Sequence, residues 1–153
     1  MEGSQVVGLM ARACERLVGS IFAALEAEGL HGLTSTQVLS LRTLAAGPLT
    51  ARALGDVLGV TPQGAAKVAG DLERRGLVAR GTDPSDARAR PLELTDEGRT
   101  AADAVRAAEQ RAVDLWRDAA TAADLDATAR ALAAYLAATE PAQAAPARRM
   151  RFT

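Results

Sequence analysis

Residues 50 to 76, TARALGDVLGVTPQGAAKVAGDLERRG, constrain the fold more than any other stretch. Thr50 is placed to cap a short helix that buries Leu54, Val57 and Leu58, and Gly59, without a Cβ, permits a tight turn. Thr61-Pro62 opens a second helix, with a hydroxyl at the N-cap and proline at the first helical position, where its missing N–H is harmless. That helix buries Ala65, Val68, Ala69 and Leu72, and Gly76 closes it. Two short helices joined by a glycine-containing turn form a helix-turn-helix.

A hairpin follows. Leu77/Ala79 and Leu92/Leu94 alternate as strand residues do, and the polar connector between them carries Asp83, Asp86, Arg88 and Arg90. Pro91 has no N–H for a ladder, so its strand is expected at an edge, or with that N–H site facing outward. A helix-turn-helix with a two-stranded hairpin is a winged helix. The second helix, 61 to 75, is expected to enter a DNA major groove with its N-terminal residues leading. Its exposed positions are Thr61, Gln63, Gly64, Ala66 and Lys67. Gln63 suits adenine, Lys67 guanine or phosphate, and Ala66 a thymine methyl, while Gly64 leaves room for close backbone approach. Arg88 and Arg90 at the wing tip suit the negative potential of the minor groove, and Asp86 is placed to hold the Arg88 fork.

The flanks are helical. Residues 5 to 28 carry one apolar stripe (Val6, Met10, Ala13, Leu17, Ile21, Ala24) and a second beside it (Val7, Cys14, Val18, Leu25). Thr34-Ser-Thr-Gln37 matches a capping box and starts a helix that buries Val38, Leu41, Leu44 and Ala45 and ends at Gly47-Pro48. Thr95-Asp96-Glu97 starts the longest helix, whose apolar side is Val105, Ala108, Ala112, Leu115, Trp116 and Ala119. A last helix begins at Thr121 and repeats Leu125, Ala129, Leu132, Ala133 and Leu136. The expected fold class is mainly α, an α+β winged helix-turn-helix with N- and C-terminal dimerisation helices. One domain spans 1–139 (winged helix 33–95; dimerisation helices 5–28 and 96–138), and 140–153 is a loose basic tail with Arg148, Arg149 and Arg151. Hydrophobic residues make up 48% of the chain but aromatics only 3%, so the core is largely alanine, leucine and valine. Alanine buries little area, and the terminal helices carry more apolar face than one chain covers, which points to a homodimer.

Net charge is −1 over the 153 residues, yet residues 42 to 90 hold eight basic groups against five acids. Lys67 is the only lysine. A single cysteine, Cys14, excludes an internal disulfide, and a single histidine, His31, argues against a histidine zinc site or a Ser-His-Asp triad. No metal, cofactor or enzymatic activity is expected. No apolar run reaches the ~20 residues of a membrane span and the N-terminus lacks a signal-peptide form, so the expected location is cytoplasmic.

Residues 33 to 99 resemble the core of MarR-type transcriptional regulators. The resemblance is carried by Leu72-Glu-Arg-Arg-Gly-Leu-Val-Ala-Arg80, Asp83-Pro-Ser-Asp-Ala-Arg88 and Leu94-Thr-Asp-Glu-Gly-Arg99, in that order and spacing. It implies a homodimeric repressor whose two winged helices read half-sites of a pseudo-palindromic double-stranded operator, with Arg88 in the minor groove and Asp86 orienting it. It also implies release by a small aromatic or phenolic effector, in a crevice bounded by Leu17, Ile21, Phe22, Val38, Leu41, Arg42 and Trp116. Ala87 stands where the family often has arginine, and Gly64, Ala65 and Ala66 stand where it often has Ser/Thr and Val. Ala53 and Gly55 replace a common Glu and Ala, which is expected to weaken that helix. Two alternatives stand beside this reading: a winged-helix protein-interaction module without DNA binding, and a redox-sensing repressor using Cys14. The expectation for Cys14 is a small packed apolar residue.

Overall fold

The computed structural model describes residues 3–82 and 90–139. The wing-tip residues Asp86 and Arg88 and the tail 140–153 lie outside the described residues. Helices α1 (Gly3–Ala27), α2 (Ser35–Leu44), α3 (Ala51–Leu58) and α4 (Pro62–Arg74) precede strands β1 (Val78–Arg80) and β2 (Leu92–Leu94), and α5 (Asp96–Ala119) and α6 (Ala122–Thr139) follow. The chain divides into two compact units, Met1–Val113 and Asp114–Thr153.

Capping chemistry sets most boundaries in the first unit. The Thr34 capping box is complete: the Gln37 amide donates to Thr34 Oγ1 at 3.3 Å and the Thr34 amide to Gln37 Oε1 at 2.9 Å. Thr50 Oγ1 accepts from the Ala53 amide and Thr61 Oγ1 from the Gly64 amide, so α3 and α4 start where their hydroxyls stand. At the end of α4, the Leu77 amide donates to Leu72 O at 3.0 Å and the Gly76 amide to Glu73 O at 2.9 Å. This is a Schellman stop, and it needs the left-handed backbone that Gly76 adopts at φ 71°. Gly59 ends α3 the same way, with the Val60 amide on Gly55 O.

The core gathers Leu25 of α1, Val38, Leu41 and Leu44 of α2, Leu54 of α3, Ala69 and Leu72 of α4, both strands, and Ala101, Ala102, Val105 and Ala108 of α5. Val57 is not in it; it is exposed, because α3 turns only Leu54 and Gly55 fully inward. The strands pair antiparallel with Val78 opposite Leu94 and Arg80 opposite Leu92. The inward residues near β1 are Val78 and the preceding Leu77, whereas Ala79 is exposed. Leu77 belongs to the helix stop, so strand alternation begins one residue later than the pattern suggests. Pro91 stands just ahead of β2, where its carbonyl accepts from the Gly81 amide. On the other side of β2, Leu49 and Leu92 exchange both backbone hydrogen bonds, at 2.8 and 3.3 Å, as an isolated bridge.

Helix α5 packs through small residues, Gly98, Ala101, Ala102, Val105, Ala108 and Ala112. Thr95 Oγ1 accepts from the Gly98 amide at 2.9 Å and donates to Gly76 O at 2.6 Å. A Cβ on Gly98 would overlap the carbonyl oxygen of Leu77.

Two helices are largely exposed. Most of α1 is exposed, including Val6, Val7, Leu9 and Met10, and only Leu25 is fully buried. Cys14 is exposed on this stretch, contrary to the packed position expected of it, because the described residues of the first unit leave that length of α1 uncovered. In the second unit Leu115 and Trp116 are exposed and α6 buries no residue. There Asp124 Oδ2 accepts from the Thr121 hydroxyl at 2.6 Å and the Thr121 amide at 3.1 Å, which together hold its carboxyl below the ordinary 3.8.

Gly98→Ala is expected to destabilise the protein by ~1–3 kcal/mol, since backbone must move to admit the methyl. Gly70→Ala, whose Cβ would meet only the Arg74 guanidinium at 3.5 Å, is expected to stabilise α4 by roughly 0.5–1 kcal/mol. Thermal unfolding followed by circular dichroism should show midpoints moving in opposite directions. Because the Asp124 pKa is lowered on folding, its contribution to the first turn of α6 is present above pH 3.8 and is lost as pH falls through the folded value. A carboxyl NMR titration should place Asp124 nearer 3.8 in Thr121→Ala.

Candidate nucleic-acid interface

The candidate surface is built on α4 and the turn before it. Ala65, Ala69 and Leu72 face inward, leaving Gln63, Ala66 and Lys67 exposed at the spacing of one helical face. Thr61 is exposed too; its oxygen caps the helix while its proton stays available to a second partner. Gly64 stands at the cap. A Cβ there would lie 3.3 Å from Thr61 Oγ1 and 3.5 Å from Val60 Cβ, so the missing side chain makes room for the cap. Its amide is already taken by Thr61. Gly55 has a comparable use: a Cβ would stand 2.8 Å from Ala65 Cβ, so glycine is what allows α3 and α4 to approach this closely.

The basic surplus separates into engaged and uncommitted groups. Arg80 grips Glu73 with two donors, Nε at 2.9 Å and Nη2 at 3.3 Å, tying β1 to the end of α4. Arg74 pairs with Asp71 one turn back, and Arg42 with Glu109 at 3.1 Å. Arg75 donates to the carbonyls of His31 (2.9 Å) and Gly32 (2.8 Å), fastening the α1–α2 loop to the end of α4. Arg52, Lys67 and Arg90 are exposed and have no side-chain partner among the described residues. Arg52, at the start of α3, was not among the sequence candidates; its place in the first turn of the helix before α4 was the available signal. The positive end of the α4 dipole adds to the attraction for phosphate.

Elsewhere in the first unit a hollow of about 160 Å³ is lined by Val18, Ile21 and Phe22 of α1, Ser35, Val38, Leu39 and Arg42 of α2, and Glu109 of α5. Four expected crevice residues are here: Ile21, Phe22, Val38 and Arg42. Leu17 is exposed on α1 and does not line it, Leu41 is fully buried in the core, and Trp116 belongs to the second unit. Val18, Ser35, Leu39 and Glu109 escaped sequence reasoning, although Ser35, Val38, Leu39 and Arg42 share the spacing of one helix face. A larger hollow of about 360 Å³ lies among Leu44, Pro48, Glu93, Leu94, Arg99 and Asp103. Its arginine is already held by Leu94 O at 2.8 Å and by Asp96, leaving the two carboxylates to dominate, so the smaller hollow suits an anion better. Among the described residues no helix is long and apolar enough to cross a membrane, and no cluster of side chains could hold a metal ion.

A helix-turn-helix with a two-stranded wing defines a winged-helix architecture of the DNA-binding class. Comparison narrows the class. The profile of the MarR family matches residues 31–89. The chain is 31% identical to the Mycobacterium tuberculosis MarR family protein Rv2887, solved in complex with salicylic acid, over 83% of this chain and 93% of that one, with a TM-score of 0.60. It is 28% identical to the MarR family transcription regulator SP03579, over 90% and 96% of the two chains, with a TM-score of 0.68. CouR from Rhodococcus jostii RHA1, bound to p-coumaroyl-CoA, shares the fold at 24% identity, covering 89% and 93%, with a TM-score of 0.68. No curated protein sequence matches significantly. The chain belongs to the MarR family: it is a winged-helix transcriptional regulator and not an enzyme, and membership implies DNA binding and dimerisation.

Arg75→Ala should destabilise the protein by about 1 kcal/mol, since two exposed carbonyls lose a charged donor. The salt dependence of DNA binding should be unchanged, because this guanidinium serves the fold. Urea unfolding and a binding titration at several salt concentrations check both.

Proposed function

We propose that the chain is a homodimeric repressor that reads a pseudo-palindromic operator and leaves it when a small-molecule effector binds. The observation that carries the DNA reading is the exposed stripe Gln63, Ala66 and Lys67 on a helix whose start is held by Thr61 and whose end is held by Gly76. A stripe held so firmly enters the major groove in one orientation, with Gln63 set to read a base and Lys67 a base or phosphate. Thr61 contacts the backbone, and Gly64 serves by shaping the cap. Arg52 and Arg90 contribute phosphate contacts. At the wing tip Arg88, oriented by Asp86, enters the minor groove.

The apolar residues left bare on α1 and, in the second unit, on α6 (Leu132, Tyr135, Leu136) support cover by a second copy. Twofold pairing sets the recognition helices ~34 Å apart, one DNA turn. The effector reading rests on the hollow beside Arg42 and on the salicylic acid and p-coumaroyl-CoA of the two solved relatives. It is favoured over a thiol switch, because Cys14 has no hydrogen-bonding or charged partner among the described residues to stabilise a thiolate.

Sedimentation at micromolar concentration should give about twice the chain mass of 15.8 kDa. Gln63→Ala should relax base preference at one position per half-site, by ~1–3 kcal/mol. Arg88→Ala should weaken binding to most sequences, A/T-flanked ones most, and affinity should fall steeply with salt. A monomer, or a dimer with no salt-dependent affinity for its own intergenic DNA, would instead indicate a protein-interaction module. Loss of hydroperoxide-driven release in Cys14→Ser would transfer the sensing role to the thiol.

A further inference from the structure

Resting on the effector reading above, we infer that Glu109 is a built-in stand-in for the effector's carboxylate, holding Arg42 until the ligand takes it. Among the described residues lining the hollow Arg42 is the only cation, and its Nη1 lies 3.1 Å from Glu109 Oε1. The pair is reachable from solvent, with side-chain exposures of 56% and 32%, so it can exchange partners without opening the core. A carboxylate that takes the guanidinium repeats the geometry Glu109 already provides, and the released Glu109 is hydrated where it stands.

The rest of the hollow sets the ligand class. Ile21, Phe22 and Val38 supply apolar walls, and Ser35 lines the other end of the same face of α2. Seven residues of helix separate Ser35 from Arg42, roughly 10 Å along the axis. The Ser35 hydroxyl has no partner among the described residues, so it is available to a polar group opposite the carboxylate. About 160 Å³ admits one ring.

The pair also joins two elements, because Arg42 stands on α2 and Glu109 on α5. A ligand that captures Arg42 removes this tie and replaces it with a contact of its own. It thereby binds the untied state better than the tied one, which is the differential affinity any effector needs.

The test uses the full-length dimer, isothermal titration and two probes, salicylate and uncharged salicylamide. Glu109→Gln should bind salicylate roughly three- to tenfold more tightly than wild type. Its affinity for salicylamide should be unchanged. Arg42→Met should weaken salicylate binding by about tenfold or more, and Glu109→Gln should add nothing in that background. If wild type binds salicylate through Arg42 but Glu109→Gln gains nothing, or gains equally for salicylamide, the stand-in is wrong and the effector hollow survives. If neither wild type nor Glu109→Gln binds salicylate, or Arg42→Met binds it as tightly as wild type, both readings fall.

Discussion

Four backbone segments meet where the carbonyls of Gly76 and Leu77 face the start of α5. Thr95 ties them: its hydroxyl donates to Gly76 O and accepts from the Gly98 amide, and its own amide donates to Leu77 O at 3.2 Å. Gly98 is seated against the same Leu77 carbonyl. The stop of α4, the approach to β1, the exit of β2 and the first turn of α5 are thus settled by one small cluster. Moving any of them would break the hydrogen bonds on the Leu77 carbonyl and the Gly98 amide, both in buried residues, where an unmet group is costly. The direction of α4, and with it the face that carries Gln63 and Lys67, depends on this junction.

Around that frame the charges divide by task. Arg75 and Arg80 fasten neighbouring segments to the end of α4, and Glu73 is consumed in the process. Arg52, Lys67 and Arg90 are left without partners among the described residues, so the groups available for phosphate are fewer than the local charge surplus suggests. A basic count in a sequence overstates the electrostatic footprint whenever arginine is used as a multi-donor clamp, which its planar fork suits better than lysine. Arg42 belongs to a third group: it is paired, but with a carboxylate on a different element and in contact with water.

Much of the fold was legible because its signals are local. The Thr34 capping box, the Thr50 and Thr61 caps, Pro62, and Gly59 and Gly76 act over three to six residues, and each appears in the structure as its spacing suggests. The exposed face of α4 was readable for the same reason. Departures came where a contact joins distant segments. Leu49 completes β2 from 43 residues away, which no alternation pattern in the hairpin reveals. Val57 keeps helical spacing with Leu54 yet stays exposed, because α3 turns only Leu54 and Gly55 fully inward. Gly55 and Gly64 also sit where a Cβ would crowd Ala65 and the Thr61 cap, contacts that no local pattern reveals.

By itself, the sequence determined where helices start and stop, which helix of the pair bears an exposed polar stripe, and that the terminal helices hold apolar surface beyond what one chain covers. These follow from hydrogen-bonding capacity and periodicity, which are properties of neighbouring residues. Only the tertiary structure decided which arginines are occupied, that Glu109 meets Arg42 across 67 positions, and that Gly98 must lack a side chain because Leu77 O stands there. Those facts depend on the closest approach of segments far apart in the chain, and that distance is set by the packing of the whole core.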